Sequence, residues 1–128
     1  MAESNLYGDI ISKDSANQQF GTVIYSVSAE SDQLRRYSDG TTNLIMFQII
    51  NNELYILGDN RIPLFPASSS LDADTEFIVY SKTKFIELLD RGQNPKTYVE
   101  LRDNKLTITN GDYTLEFGAV CPPWCNTQ

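Results

Sequence analysis

Two stretches of this chain, about fifty residues apart, carry the same succession of short apolar runs and turn residues. The later one reads Tyr98-Val99-Glu100-Leu101-Arg102, then Asp103-Asn104, then Lys105-Leu106-Thr107-Ile108-Thr109. Asn110-Gly111 and Asp112-Tyr113-Thr114-Leu115-Glu116-Phe117 complete it. Val99 and Leu101, Leu106 and Ile108, and Leu115 and Phe117 each alternate with polar residues. That period of two puts each set on one face of a sheet. Asn110-Gly111 is the short hairpin signal, because a type I′ turn needs positive φ at both central residues. The earlier stretch runs from Leu44 to Ile50, turns at Asn51-Asn52, continues through Glu53 to Leu57, turns at Gly58-Asp59-Asn60, and ends over Arg61 to Phe65. An offset of 52 places Asn52 on Asn104, Leu54 on Leu106, Ile56 on Ile108, Phe47 on Val99, Ile49 on Leu101 and Phe65 on Phe117. Both stretches are expected to be three-stranded meanders.

A strand and a helix are expected before each meander. Val23-Ile24-Tyr25-Ser26 parallels Ile78-Val79-Tyr80-Ser81 at an offset of 55. After Ser81, a candidate N-cap, Phe85, Leu88 and Leu89 fall at helical spacing, Gly92 supplies a stop and Pro95 lies just beyond. The earlier helix spans about Glu30 to Tyr37, with Leu34 and Tyr37 as its apolar face, Ser28 or Ser31 as cap and Gly40 at its end. The fold class that follows is α+β. Mainly antiparallel sheets and two short helices form two β-α-β-β-β units, over 20–65 and 75–118, related by pseudo-twofold symmetry. Pro66 to Asp74 connects them, 119–128 forms a tail, and 1–128 is one domain.

Composition narrows function. The 128 residues include no histidine, which removes the commonest general base and metal ligand. Carboxylates abound, but nothing singles out a pair for acid–base work, and no enzyme activity and no cofactor are expected. A net charge of −7 opposes non-specific contact with nucleic acid. It is uneven: residues 82–105 hold six basic residues against four acidic ones. No apolar run approaches the roughly 20 residues that span a bilayer, so no membrane partner is expected. The start, Met1-Ala2-Glu3-Ser4, lacks the basic and apolar regions of a signal peptide, which points to the cytoplasm; the periplasm or secretion is the alternative if such a peptide has been removed.

In organisation the chain resembles one domain of the DNA sliding clamps, the bacterial β clamp and its archaeal, eukaryotic and phage relatives. Phe77 to Leu89 looks like the clamp strand that leads into a helix with a leucine-rich face, and Tyr98 to Phe117 like the hairpins that follow it. The resemblance implies two surfaces. Clamp helices face DNA through basic side chains, and the matching positions are Arg35, Arg36, Lys82, Lys84 and Arg91. Clamps also take short peptides in an apolar pocket beside the connector, near Leu64, Phe65 and Pro66. Clamp rings contain six such domains, two or three per chain, so encircling DNA would require this chain to form an unusual homo-oligomer. Asp32, Glu87 and Asp90 on the same helices work against phosphate contact. The isolated chain is therefore expected not to bind nucleic acid and to engage a protein or peptide partner instead.

Cys121-Pro122-Pro123-Trp124-Cys125 allows either a small local disulfide between Cys121 and Cys125 or two unpaired thiols. The C-x3-C spacing is not that of thioredoxin-type sites, and zinc needs about four ligands that the chain does not offer. A terminal disulfide would suit the alternative reading, a secreted or periplasmic β-rich inhibitor or immunity-type protein. Asp72, Asp74 and Glu76 form an acidic run without the spacing of a calcium loop.

Overall fold

The structure, a computed structural model, describes residues 7–66, 75–103, 105–116 and 118–121, the last three by their backbone alone. The strands are β1 (Asp9–Ser12), β2 (Tyr25–Glu30), β3 (Leu44–Ile50), β4 (Glu53–Leu57), β5 (Pro63–Phe65), β6 (Phe77–Ser81), β7 (Lys96–Arg102), β8 (Lys105–Asn110), β9 (Tyr113–Glu116) and β10 (Ala119–Cys121). The α-helices are α1 (Lys13–Phe20), α2 (Ser31–Ser38) and α3 (Lys82–Gly92). The fold is α+β, with two five-stranded antiparallel sheets in the orders β1-β9-β8-β7-β2 and β10-β6-β3-β4-β5.

These orders contain an exchange. The strand–helix–three-strand succession occurs twice, as β2-α2-β3-β4-β5 and β6-α3-β7-β8-β9. Each meander takes its fourth strand from the other unit: β2 pairs with β7, and β6 with β3. The two strand-to-helix junctions make the same hydrogen bond across the exchange. Ser31 N–H donates to Pro95 O at 2.8 Å, and Lys82 N–H to Asn43 O at 2.8 Å. The meander offset of 52 holds for β3 and β7. The first strands align differently from the expected 55: Glu30 and Ser81, each the last residue before its helix, differ by 51. The likeness of Val23–Ser26 to Ile78–Ser81 was misleading, because helix entry sets the register. In the corrected alignment Leu34 falls on Phe85 and Ser38 on Leu89, and all four are buried.

The main core lies between the sheets and helices. Leu34, Phe47, Ile56, Tyr80, Phe85, Leu88, Val99, Ile108 and Leu115 form its centre, with the Phe47 ring 5.2 Å from Phe85 and 6.3 Å from Tyr80. Burial, followed by the charge of Glu116, pushes the Tyr80 hydroxyl far above the ordinary tyrosine value. It stays protonated and donates to Leu106 O at 3.0 Å. A second apolar cluster, Leu44, Met46, Leu57, Phe77 and Val79, occupies the other face of the β3–β6 sheet.

Local chemistry explains the ends. Asn51 and Asn52 both take positive φ, 52° and 68°, as a type I′ turn demands. The β8–β9 turn differs from expectation. Asn110 pairs with Tyr113 inside the ladder, so Gly111 and Asp112 make the turn, and of these only Gly111 has positive φ. The Asn110 side chain is instead buried at the junction of the units. It donates to Thr97 Oγ1 (2.8 Å), Ser31 Oγ (3.0 Å) and Asn94 O (3.0 Å), while its Oδ1 accepts from Asn94 N (2.9 Å). Gly92, expected to stop its helix, is the last residue of α3, and Gln93 takes the left-handed cap. A Cβ at Gly92 would lie 2.0 Å from Asn110 Oδ1, so glycine is required there by packing. Ser81 holds the expected N-cap position of α3 without a side-chain cap bond, its Oγ accepting from Tyr7 N; α2 is capped at Glu30, not at Ser28 or Ser31, and Ser31 Oγ donates to Asn94 O instead.

Beyond the two expected helices stands α1, whose sequence offers no apolar face and buries only Ala16. Ser12 caps its start through a 3.1 Å bond from Ser15 N. Arg102 ties down its end, donating to Asn17 Oδ1 at 2.8 Å and to Gly21 O. Residues 119–121, read as the start of a tail, form β10 against β6.

Candidate partner-binding groove

A groove of about 550 Å³ opens at one end of the main core, where the start of β2, the end of the β7–β8 hairpin and Gly118 meet. Its apolar lining comes from Ile24, Tyr25, Ile78, Leu101 and Leu106. β2 positions the rim. Its inward residues, Tyr25, Val27 and Ala29, face Leu101, Val99 and Thr97 of β7 in register. Tyr25 is further fixed by a bond from its hydroxyl to Asn52 O at 3.3 Å. Ile24, just ahead of the strand, is 71 % exposed, the highest value among the large apolar side chains of the described residues. With Val23 and Tyr25 it makes three consecutive exposed apolar residues.

The polar lining is mostly committed elsewhere. Arg102 is buried and gives its donors to Glu100 Oε1 (3.2 Å), Thr107 Oγ1 (2.9 Å), Asn17 Oδ1 and Gly21 O. Lys105 pairs with Glu116 at 3.3 Å and sits over the Phe20 ring. Gln48 donates to Glu76 O at 2.9 Å, which brings the chain just after the connector beside the groove. Asp103 is exposed. The arrangement offers apolar contact through Ile24, Tyr25, Ile78, Leu101 and Leu106.

The residues expected from sequence fall elsewhere. Leu64, Phe65 and Pro66 lie at and just beyond β5, an edge strand. Phe65 is 36 % exposed and stacks at 5.1 Å on Tyr37, while Leu64 packs partly into the main core. Ile62, just ahead of β5, is 57 % exposed.

All five basic helix residues have partners within the chain. Arg35 pairs with Asp90 at 2.6 Å, across from α2 to α3. Arg36 donates to Gln33 at 3.1 Å. Lys82 donates to Thr41 O at 2.9 Å. Lys84 and Arg91 both reach Glu87, at 3.6 and 3.1 Å. Cys125 lies outside the described residues and Cys121 is described only by its backbone, so the disulfide expectation falls outside them too; so does most of the acidic run, at Asp72 and Asp74.

Sequence reasoning missed the groove. The available signal was Val23-Ile24-Tyr25, three large apolar residues followed by alternation through Val27 and Ala29. Alternation puts Val23 and Tyr25 on the face of Val27 and Ala29 and leaves Ile24 on the other. No known protein family matches this chain, and no curated protein or solved structure matches it either. Among the described residues no helix is long and apolar enough to cross a membrane, and no group of three or more His, Cys, Asp or Glu side chains could hold a metal ion.

Proposed function

We propose that the chain is a non-enzymatic interaction module of sliding-clamp-like organisation, which takes a protein or peptide partner in the groove at the start of β2. The observation that carries this reading is Ile24, a large apolar side chain left mostly in water at the rim of an apolar groove. Exposure of this kind beside a concave apolar surface is the signature of a contact site. The clamp resemblance of the sequence supplies the class of partner. A DNA-encircling role finds less support, because the helix cations are matched by neighbouring carboxylates or carbonyls.

Selection of short linear peptides from a random library on the immobilised chain tests the reading. Enriched peptides should lose binding to Ile24→Asp, whose melting temperature should stay near that of the wild type, and retain it on Phe65→Ala. Loss on Phe65→Ala alone would move the site to β5, at Phe65. Absence of any enriched peptide would defeat the proposal.

A further inference from the structure

The chain shows, in its second unit, what covers the outer edge of a first strand. In an antiparallel ladder, alternate residues direct both N–H and C=O away from a given neighbour. The bond from Lys82 N to Asn43 O fixes this alternation for β6, so Phe77, Val79 and Ser81 point away from β3. All three positions are occupied. Cys121 and Ala119 of β10 stand opposite Phe77 and Val79, and Ser81 N–H donates to Tyr7 O at 2.9 Å.

The equivalent bond, Ser31 N to Pro95 O, fixes the alternation for β2. Ser26, Ser28 and Glu30 therefore point away from β7, and among the described residues β2 is the last strand of its sheet. At the offset of 51 these are the counterparts of Phe77, Val79 and Ser81. All three are exposed.

Natural edges are guarded by proline, lysine, bulges or brevity. β5 shows such guards: it has three residues, begins at Pro63, is followed by Pro66, and pairs with β4 through a register shift. β2 has none. It runs six residues, Tyr-Ser-Val-Ser-Ala-Glu, with no proline and no lysine, and its pairing with β7 is unbroken.

We infer that β2 accepts an extended segment of a partner protein as an antiparallel strand opposite Ser26, Ser28 and Glu30, as β10 lies on β6. This rests on the proposed partner-binding function and specifies its mode. An antiparallel strand on β2 ends over the groove, so the segment carries an apolar side chain near its C-terminal end. Charge selects the occupant. Two copies of a chain with net charge −7 repel each other, whereas a neutral-to-basic segment is attracted to the acidic chain as a whole; Glu30 itself is already paired with Lys96 at 3.1 Å.

The test uses the full chain, labelled for amide exchange, with the strongest binder from a random short-peptide library selected on it. Binding should slow exchange at Ser26, Ser28 and Glu30 and leave Tyr25, Val27 and Ala29, already bonded to β7, little changed. Ser28→Pro removes an outward N–H without touching the ladder to β7, a placement proline tolerates on edge strands. It should weaken binding by at least about tenfold, the loss expected for a blocked strand with its main-chain bonds. Ser28→Ala, which keeps the N–H, should bind as the wild type does and shows that the side chain is not the determinant. Peptide binding with no protection on β2 and no loss in Ser28→Pro would overturn strand addition while leaving the partner-binding reading in place. Failure to select any binder would remove both.

Discussion

The two β-α-β-β-β units share a topology but differ at their borders. In the second unit, β6 is covered by β10 and β9 by β1, so strands from both ends of the described chain close its edges. In the first unit, among the described residues, β2 and β5 are left as edges of their sheets. The outer faces differ as well. Tyr98, Glu100 and Arg102 lie on the outer face of β7, where their counterparts on β3, at the offset of 52, are Met46, Gln48 and Ile50. The β7 face buries a polar network: Glu100 Oε1 accepts from Arg102, Thr107 and Thr109. The β3 face buries Leu44, Met46 and Phe77. Repetition of a unit thus fixes strand order while leaving surfaces free to diverge. On the proposed reading, contact falls to the half whose edges are not used internally.

The comparison is sharpened most by the aromatic side chains of a covered and an open strand. Phe77 on β6 is fully buried and Phe65 on β5 is 36 % exposed. Phe77→Ala should cost about 3–5 kcal/mol of stability, as deletion of a buried ring does, whereas Phe65→Ala should cost about 1 kcal/mol or less. Denaturant unfolding measures both. Equal losses would mean that β5 is as firmly integrated as β6.

A second contrast concerns ion pairs. Arg102 and Glu100 are both buried, and Arg35 and Asp90 are both substantially exposed. Arg102→Ala leaves a buried carboxylate without its cation and should cost about 3 kcal/mol. Arg35→Ala should cost less than about 1 kcal/mol, and added salt should shrink that further. Chemical melts at low and high salt distinguish the two.

The smallest effect at neutral pH belongs to Tyr80. Tyr80→Phe loses one hydrogen bond, to Leu106 O, at about 1 kcal/mol. Its signature lies in alkali. The folded protein holds this phenol protonated far above the value it has when unfolded, so the contribution is full below about pH 10, the ordinary tyrosine value, and declines as pH rises past it. Wild-type stability should therefore fall more steeply above pH 10 than that of Tyr80→Phe. Parallel alkaline slopes would refute the linkage.

Much of this was legible because strand periodicity is local. Leu106/Ile108 and Leu54/Ile56 fixed both meanders, and Phe85, Leu88 and Leu89 fixed α3. α1 was hidden because Lys-Asp-Ser-Ala-Asn-Gln-Gln-Phe has no apolar stripe; polar bonds to Arg102 help hold it in place. Asn110-Gly111 carried the right signal shifted by one residue, since Asn110 is used by Ser31 and Thr97, which lie far from it in sequence. The groove was hidden for a related reason. Ile24 and Leu101 come together only through the pairing of β2 with β7, and nothing local at either residue announces the other.

The exchange of first strands also orders events during synthesis. β2 finds its partner only when residues 96–102 exist, and β1 only when residues 113–116 do. Most of the chain must leave the ribosome before the earliest strands can pair. The first unit alone would meanwhile present β3 without β6, an apolar run of Leu44 to Phe47 with a bare edge. Nascent chains stalled just short of β6 should therefore be the species most in need of a chaperone.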